Sequence, residues 1–255
     1  MSAPSCIPEV LSPSSLNAFS ECEAKWYYRK VLQLPEERGA ALGLGTAVHE
    51  ALAENFRQKI ETFEDLPVEG VQTIFRDAMS QQLDELVLSP EEDADELVSC
   101  GETLVRCYMD QAAPAIHPAA VELHVEGNIG GVPVHGYIDL MDTDGNIIDI
   151  KTAGKKPSGF PANHRLQVTT YVMLAAGASG IARLDTLTKT KTVALHSQTV
   201  EIGALDVQLA ERLYSITMDQ MQSGLIKPNR NSNMCSRKYC AFADQCCKDY
   251  GGEVK

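Results

Sequence analysis

The chain has 255 residues, 44% of them hydrophobic, with one tryptophan and a formal charge of −13. That is enough apolar mass for one sizeable core with a helical annex, and no apolar run reaches the length of a membrane span. The acidic balance is the wrong sign for gripping nucleic acid by bulk charge, although basic residues gather locally: Lys25, Arg29 and Lys30; Lys151, Lys155 and Lys156; Lys189 and Lys191; Lys227, Arg230, Arg237 and Lys238. The start, MSAPSCIPEV, has neither a basic nor an apolar signal region, so a cytoplasmic location is expected. In a reducing compartment the eight cysteines argue for metal ligation over a disulfide framework.

Ser12-Pro13-Ser14-Ser15 predicts a helix start, and Leu16, Phe19, Trp26 and Tyr27 continue helical spacing through 14–30. A glycine-rich turn at 42–45 precedes a helix over 46–60. Two more helices are predicted at 70–88 and 92–113, the first marked by Ile74, Met79, Leu83 and Leu86. Strands follow at 119–126, 132–142 and 146–152, then a helix at 162–177, strands at 182–188 and 192–202, and a helix at 204–223. A polar, cysteine-rich tail ends the chain. There is no internal repeat and no long linker. The expected fold is one α/β domain over 1–255: a helical part (1–118), a sheet core (119–202) and a C-terminal helix with a tail (203–255).

The segment GYIDLMDTDGNIIDIK, residues 136–151, is the most informative. Asp144-Gly145 signals a tight turn between two strands. Strand alternation puts Asp149 and Lys151 on one face, with Ile148 and Ile150 on the other. If the strands pair, Asp139 approaches Asp149. Two carboxylates beside one lysine suit divalent-metal phosphodiester chemistry, because carboxylate oxygens hold hard cations and the lysine orients water and offsets phosphate charge. The competing reading is an ordinary polar turn. Against it stands Asp149 itself, flanked by isoleucines, where an ionised carboxylate needs a partner or a metal.

Gln167 and Tyr171, four apart on the next helix, share a face. His49 lies in GTAVHEAL, but residue 53 is Ala, so the two-histidine zinc-peptidase pattern is absent. Gly43 and Gly45 lack the third glycine of a dinucleotide fingerprint, and no phosphate-binding GxxxxGK[ST] loop occurs. The tail run CSRKYCAFADQCC holds Cys235, Cys240, Cys246 and Cys247. Four thiolates can hold zinc or an iron–sulphur cluster. Adjacent Cys246 and Cys247 are awkward ligands for one metal, so three tail cysteines plus Cys22 form the more comfortable set. Cys6, Cys100 and Cys107 read as small buried hydrophobes.

In order and number these segments resemble the PD-(D/E)XK nuclease superfamily, in its RecB-like branch with an iron–sulphur cluster, whose members include the nuclease domain of AddB and the exonucleases of CRISPR adaptation. LSPSSLNAFSECEAKWYY is similar to the family's first helix with its single cysteine. GTAVHEAL is similar to its histidine motif, GYIDL and IIDIKT to its acidic motifs, QVTTYVML to its Gln-x-x-x-Tyr helix, and the tail to its three-cysteine motif. The resemblance implies a restriction-endonuclease-like mixed sheet flanked by helices. It implies that His49, Asp139, Asp149 and the Ile150 carbonyl hold Mg2+ or Mn2+, that Lys151 assists the attacking water, and that Gln167 and Tyr171 position substrate or the lysine. Glu122 or Glu126 would add a carboxylate. Cys22, Cys235, Cys240 and Cys246 would bind a [4Fe-4S] cluster, with Cys247 an alternative to Cys246. The four-residue gap between Cys235 and Cys240 is wider than the family's usual two.

The implied activity is metal-dependent DNA exonuclease action on ends or single strands in recombination, repair or replication. The implied partners are DNA and a helicase or recombination protein, with no membrane. Two other readings are a non-catalytic iron–sulphur subunit that binds nucleic acid, and a zinc-stapled structural protein. The intact Asp139, Asp149 and Lys151 argue against the former, and metal analysis separates the latter.

Overall fold

The computed structural model describes residues 7–190 and 192–254; Cys6 and Lys191 lie outside them. Ser12 caps the first helix as expected, its hydroxyl accepting from Ser15 N at 3.2 Å. The predicted single helix over 14–30 is instead two, α1 (Pro13–Glu21) and α2 (Glu23–Lys30), because Cys22 is extended at φ −160°. The glycines at 42–45 do not form a turn. They lie inside α3 (Ala40–Thr62), where Gly43 lets the helix approach Leu86: a Cβ there would sit 2.5 Å from a Leu86 methyl. After β1 (Arg38–Gly39) and α3 come α4 (Val68–Leu83), β2 (Leu86–Val87), α5 (Ala94–Gln111) and a 3-10 turn at Ala113–Ala115. The sheet strands are β3 (Pro118–Ile129), β4 (Val132–Asp142), β5 (Ile147–Ala153), β6 (Ile181–Thr188) and β7 (Ala194–Glu201), with α6 (Ala162–Leu174) between β5 and β6. The chain closes with α7 (Ala204–Ser223) and α8 (Ala243–Tyr250). No helix was predicted in the polar, cysteine-rich tail, so α8 is an addition.

The chain divides into two compact units. One comprises residues 38–125 and 137–203. β1 and β2 pair in a short parallel sheet of their own, and the other strands form a five-stranded mixed sheet in the order β3-β4-β5-β6-β7, in which β5 and β6 are parallel while β4 with β5 and β6 with β7 are antiparallel. α3, α4 and α5 supply Leu52, Phe56, Phe75, Leu104 and Tyr108 to a cluster that includes Ile148 and Ile150 of β5. α6 brings Val168 and Tyr171 against Ile147 and Ala182 in a second cluster. β5 is therefore covered on both faces, and its first four residues, Ile147–Ile150, are all buried, Asp149 included. The turn before it is tied by Asp142 Oδ1, which accepts from Asp144 N (3.0 Å) and Asn146 N (2.8 Å), with Gly145 at φ 79°.

The other unit comprises residues 1–37, 126–136 and 204–255. Phe19 and Trp26 meet edge to face at 5.2 Å, and the Trp26 indole donates to Ser15 Oγ at 2.9 Å. The segment after α7 is held by α2. Glu23, nearly buried at the α2 N-terminus, accepts from Gln220 Nε2 (2.7 Å) and Lys227 N (3.0 Å). Tyr28, fully buried, donates to Asp249 Oδ2 at 2.7 Å and packs on Phe242.

Candidate active site

The β4–β5 register pairs Met141 with Ile147 and Leu140 with Ile148. The next positions along are Asp139 and Asp149, as the hairpin reading expected. There the ladder gives way: Asp139 Oδ2 accepts from Ile150 N at 2.8 Å, so a side chain satisfies the amide that a strand carbonyl would otherwise take.

Asp149 is fully buried. Lys151 Nζ lies 2.8 Å from each of its oxygens, but only Oδ1 is aligned as an acceptor, and Oδ2 is buried with no hydrogen bond. Gln167, reaching from α6, donates from Nε2 to Asp149 Oδ1 (3.1 Å) and to the Tyr171 hydroxyl (2.9 Å). Tyr171 is thus both a core ring, 5% exposed, and the polar partner of Gln167. Burial, joined by the Asp149 and Asp139 charges, pushes its hydroxyl up to about 12 against the opposing Gln167 hydrogen bond and Lys151 charge.

His49 on α3 places Nδ1 3.7 Å from Asp139 Oδ1. With Glu122, Asp139 and Ile150 it lines a small cavity of about 20 Å³. Glu122 pairs with Arg57 and is held at φ 47° within a strand, a costly conformation for a non-glycine residue and one that concentrates at functional sites. Glu126 belongs to the other unit. A larger groove of about 630 Å³ runs past His49, Glu50, Arg57, Glu122, Lys151 and Thr152. Of the local basic groups noted in the sequence, only Lys151 is among its lining residues within the described part of the chain. Arg29 and Arg237 are engaged by Glu36 and Asp244.

Burial pushes the Asp149 carboxyl up to about 7. Lys151 opposes this, and the nearby Asp139 charge adds to it. An unfolded aspartate titrates near ~3.9. Between about pH 4 and 7 the folded chain therefore keeps a proton that the unfolded chain has released, and the metal-free protein loses stability as pH rises through that window, by on the order of 4 kcal/mol, with no further loss above it. Lys151 is raised by Asp149 and Asp139 against its burial, so its contribution persists throughout that window and is lost only at alkaline pH. Denaturant unfolding of metal-free protein from pH 4 to 8 checks this. The decline should be present in the wild type and absent in Asp149→Asn, and parallel profiles would contradict it.

Sequence reading missed His164. It stands three residues before Gln167 on α6, where burial and then the Lys151 charge hold its imidazole below the ordinary range. The spacing His164, Gln167, Tyr171 marks one helical face and was the available signal. Also missed was a buried network behind β5: Arg183 grips Asp185 through two bonds of 2.7 Å, and Tyr108 donates to Asp185 at 2.9 Å. An arginine two residues before an aspartate on a strand reads as an exposed pair until the strand is placed inside a sheet.

In the other unit Cys22, Cys235, Cys240 and Cys246 line one cavity with Lys25, Asn229 and Phe242; Cys247 is not among the lining residues. Asn229 N donates to Cys22 Sγ at 3.4 Å. Burial raises the Cys240 and Cys246 thiols, opposed by Lys25 at Cys240 and by Arg230 at Cys246. Among the described residues, no three His, Cys, Asp or Glu side chains are close enough to ligate a single ion as they stand, and no helix is long and apolar enough to cross a membrane.

A family model described as the PD-(D/E)XK nuclease superfamily matches residues 10–247. No curated protein matches the chain in sequence. Among solved structures, a Eubacterium rectale protein described provisionally as an exonuclease is similar with a TM-score of 0.59 and 12% identity, over 97% of this chain and 90% of that one, a likeness of fold. A second, SSO0001, aligns over 94% of this chain and 96% of that one at 17% identity, but its TM-score of 0.35 carries no argument. With a family model spanning nearly its whole length, and with paired strands that bring Asp139, Asp149 and Lys151 together, the chain belongs to the PD-(D/E)XK nuclease superfamily.

Proposed function

We propose that this nuclease is a metal-dependent DNA exonuclease of the RecB-like branch, acting on free ends or single strands. The observation that carries the reading is the buried Asp149 carboxylate, held between Lys151 and Gln167 with Asp139 one strand away. Such a group is costly unless it serves a cation. The residues fit a divalent ion: Asp139, Asp149 and the Ile150 carbonyl are hard oxygen donors, and Asp149 Oδ2 has no hydrogen bond. His49 and Glu122, which line the cavity at Asp139, complete the donor set we assign. Mg2+ or Mn2+ held there would supply Lewis-acid polarisation of the phosphate and a more acidic water.

The chain's own groups perform the rest. In the free protein the Lys151 ammonium supplies the positive charge that Asp149 requires. With substrate present it faces the scissile phosphate, orients the attacking water and offsets developing charge on oxygen. Gln167 holds Asp149 in place, and Tyr171 holds Gln167. Water attacks phosphorus in line and releases a proton to solvent, the P–O bond to the leaving nucleotide breaks, and the departing oxygen takes a proton from solvent. Tyr28 and Tyr171 are core rings, so neither has a free face on which a base could stack.

Lys151→Met is expected to lower kcat by about 10²–10³-fold while Mn2+ affinity stays within about threefold, since the metal-free carboxyl can take up a proton in place of its lost partner. Calorimetric Mn2+ titration beside single-turnover cleavage checks it. Retained cleavage with lost Mn2+ binding would reverse the roles. Exonuclease action is tested by offering linear and covalently closed circular single strands of one sequence. Degradation confined to the linear strand is expected, and equal nicking of the circle would make the enzyme an endonuclease.

We also assign a [4Fe-4S] cluster to Cys22, Cys235, Cys240 and Cys246. Support comes from four cysteines around one cavity, with Lys25 there and Arg230 near Cys246 to balance thiolate charge. Iron and acid-labile sulphide in anaerobically purified protein test this, and stoichiometric zinc without sulphide would overturn it. The proposed setting is cytoplasmic recombination, repair or replication. The chain has no phosphate-binding loop motif of its own, so a helicase or recombination protein is the proposed partner.

A further inference from the structure

Where β3 and β4 run beside the site, their two faces differ. Leu123 and Val125 of β3 and Ile138 of β4 pack into the cluster built on α6. Alternation along each strand turns the residues between them the other way: Glu122 and His124 on β3, Tyr137 and Asp139 on β4. Contacts from α3 fix the same direction, since its Arg57 pairs with Glu122 and its His49 approaches Asp139. Tyr137 and His124 thus lie on the face that carries two of the site's carboxylates. Their rings lean together there, with centroids 4.9 Å apart and planes at 45°.

We propose that Tyr137, propped by His124, is a stacking platform for a base of the DNA strand next to the scissile phosphate. The inference rests on reading Asp139, Asp149 and Lys151 as a DNA nuclease site. Exposed aromatic rings also occur at Phe63 and Tyr239, and single ones call for no explanation. Tyr137 differs by its place. It is 59% exposed and stands two residues from Asp139, roughly 7 Å along the strand, within the reach of one nucleotide. A phosphate at the Asp139 site therefore brings a neighbouring base over the ring. Charge gives the strand little net hold there, because Glu50 and Glu122 line the groove beside Arg57 and Lys151. An uncharged ring grips any base through its π-face and asks for no particular sequence, as a nuclease working along a strand requires. His124 limits the swing of the Tyr137 ring, so less freedom is lost when a base settles on it. The competing role is a cross-strand aromatic pair that serves only the hairpin.

Threonine at 137 keeps strand propensity without a ring, and tryptophan keeps a ring. The first measurement is single-turnover cleavage of an end-labelled linear single strand in Mn2+ with protein in excess. Tyr137→Thr is expected to raise the half-saturating protein concentration about tenfold, the scale of one base on one ring, while the rate at saturation changes less. Tyr137→Trp should behave like the wild type. The second measurement uses a set of strands that each lack one base at a successive position. The wild type should pause at one fixed distance from the missing base. Tyr137→Thr should digest the same strands without that pause, because the contact is already gone. Unchanged half-saturation in Tyr137→Thr, a pause that persists in it, or Tyr137→Trp as impaired as Tyr137→Thr would overturn the proposal. A pair that serves only the hairpin would lower the melting temperature of Tyr137→Thr and leave half-saturation by the folded fraction unchanged, which also overturns it. No cleavage of any strand by the wild type would overturn the underlying site reading, and the platform with it.

Discussion

Asp149→Asn is expected to reduce cleavage by about 10³-fold or more while the protein stays folded. Asparagine keeps the shape of the side chain and can still accept from Gln167, so packing beneath α6 survives. It loses the charge, which is what a divalent ion and the Lys151 ammonium both respond to. Lys151 then has Asp139 as its remaining carboxylate neighbour. A purely structural aspartate at this position would give a different result: disruption of a buried ion pair would lower stability and leave the rate per folded molecule unchanged. Single-turnover rates, corrected for the folded fraction by circular dichroism, separate the two. A rate within tenfold of wild type would remove Asp149 from the catalytic site.

The second large effect is expected from Cys22→Ser. Cys22 is the extended residue that breaks α1 from α2, and its thiol shares a cavity with Cys235, Cys240 and Cys246. Between α7 and α8 the chain has no regular structure, and its apolar anchorage is small: Phe242 and Cys246 packed with Ala24 and Tyr28. Lys227 N donates to Glu23 of α2 and Asn229 Nδ2 to the Glu21 carbonyl at the end of α1, but each bond is worth only about 1 kcal/mol net. Metal-site binding energy is folding energy in such a segment. Cys22→Ser should lose the visible absorbance and the iron of the proposed cluster, and should become protease-sensitive both near α1 and in the tail. Full iron and sulphide content with a protected tail would show that Cys22 is a packing residue and would refute this ligand set, leaving the nuclease site untouched.

The hairpin, its register and the helix carrying Gln167 and Tyr171 were legible because each rests on a local rule: Asp-Gly at a turn, alternation along a strand, four-residue spacing on a helix. What stayed hidden depended on contacts distant in sequence. The glycines before His49 look like a turn and are helical because Leu86 packs against one of them. The break at Cys22 interrupts an otherwise continuous helical pattern and is fixed by what surrounds the cysteine. Tyr28 and Tyr171 look available for stacking and are buried by Phe242 and by the sheet.

The central claim is that the Asp139–Asp149–Lys151 site performs metal-dependent hydrolysis of DNA. The direct measurement is the time course of an end-labelled linear single strand incubated with the purified protein and Mn2+, with chelator added midway and excess Mn2+ restored later. The account predicts cleavage that stops on chelation, resumes on restoration, and is absent throughout for Asp149→Asn. No cleavage under any condition, or cleavage that continues unchanged through chelation or in Asp149→Asn, would contradict it.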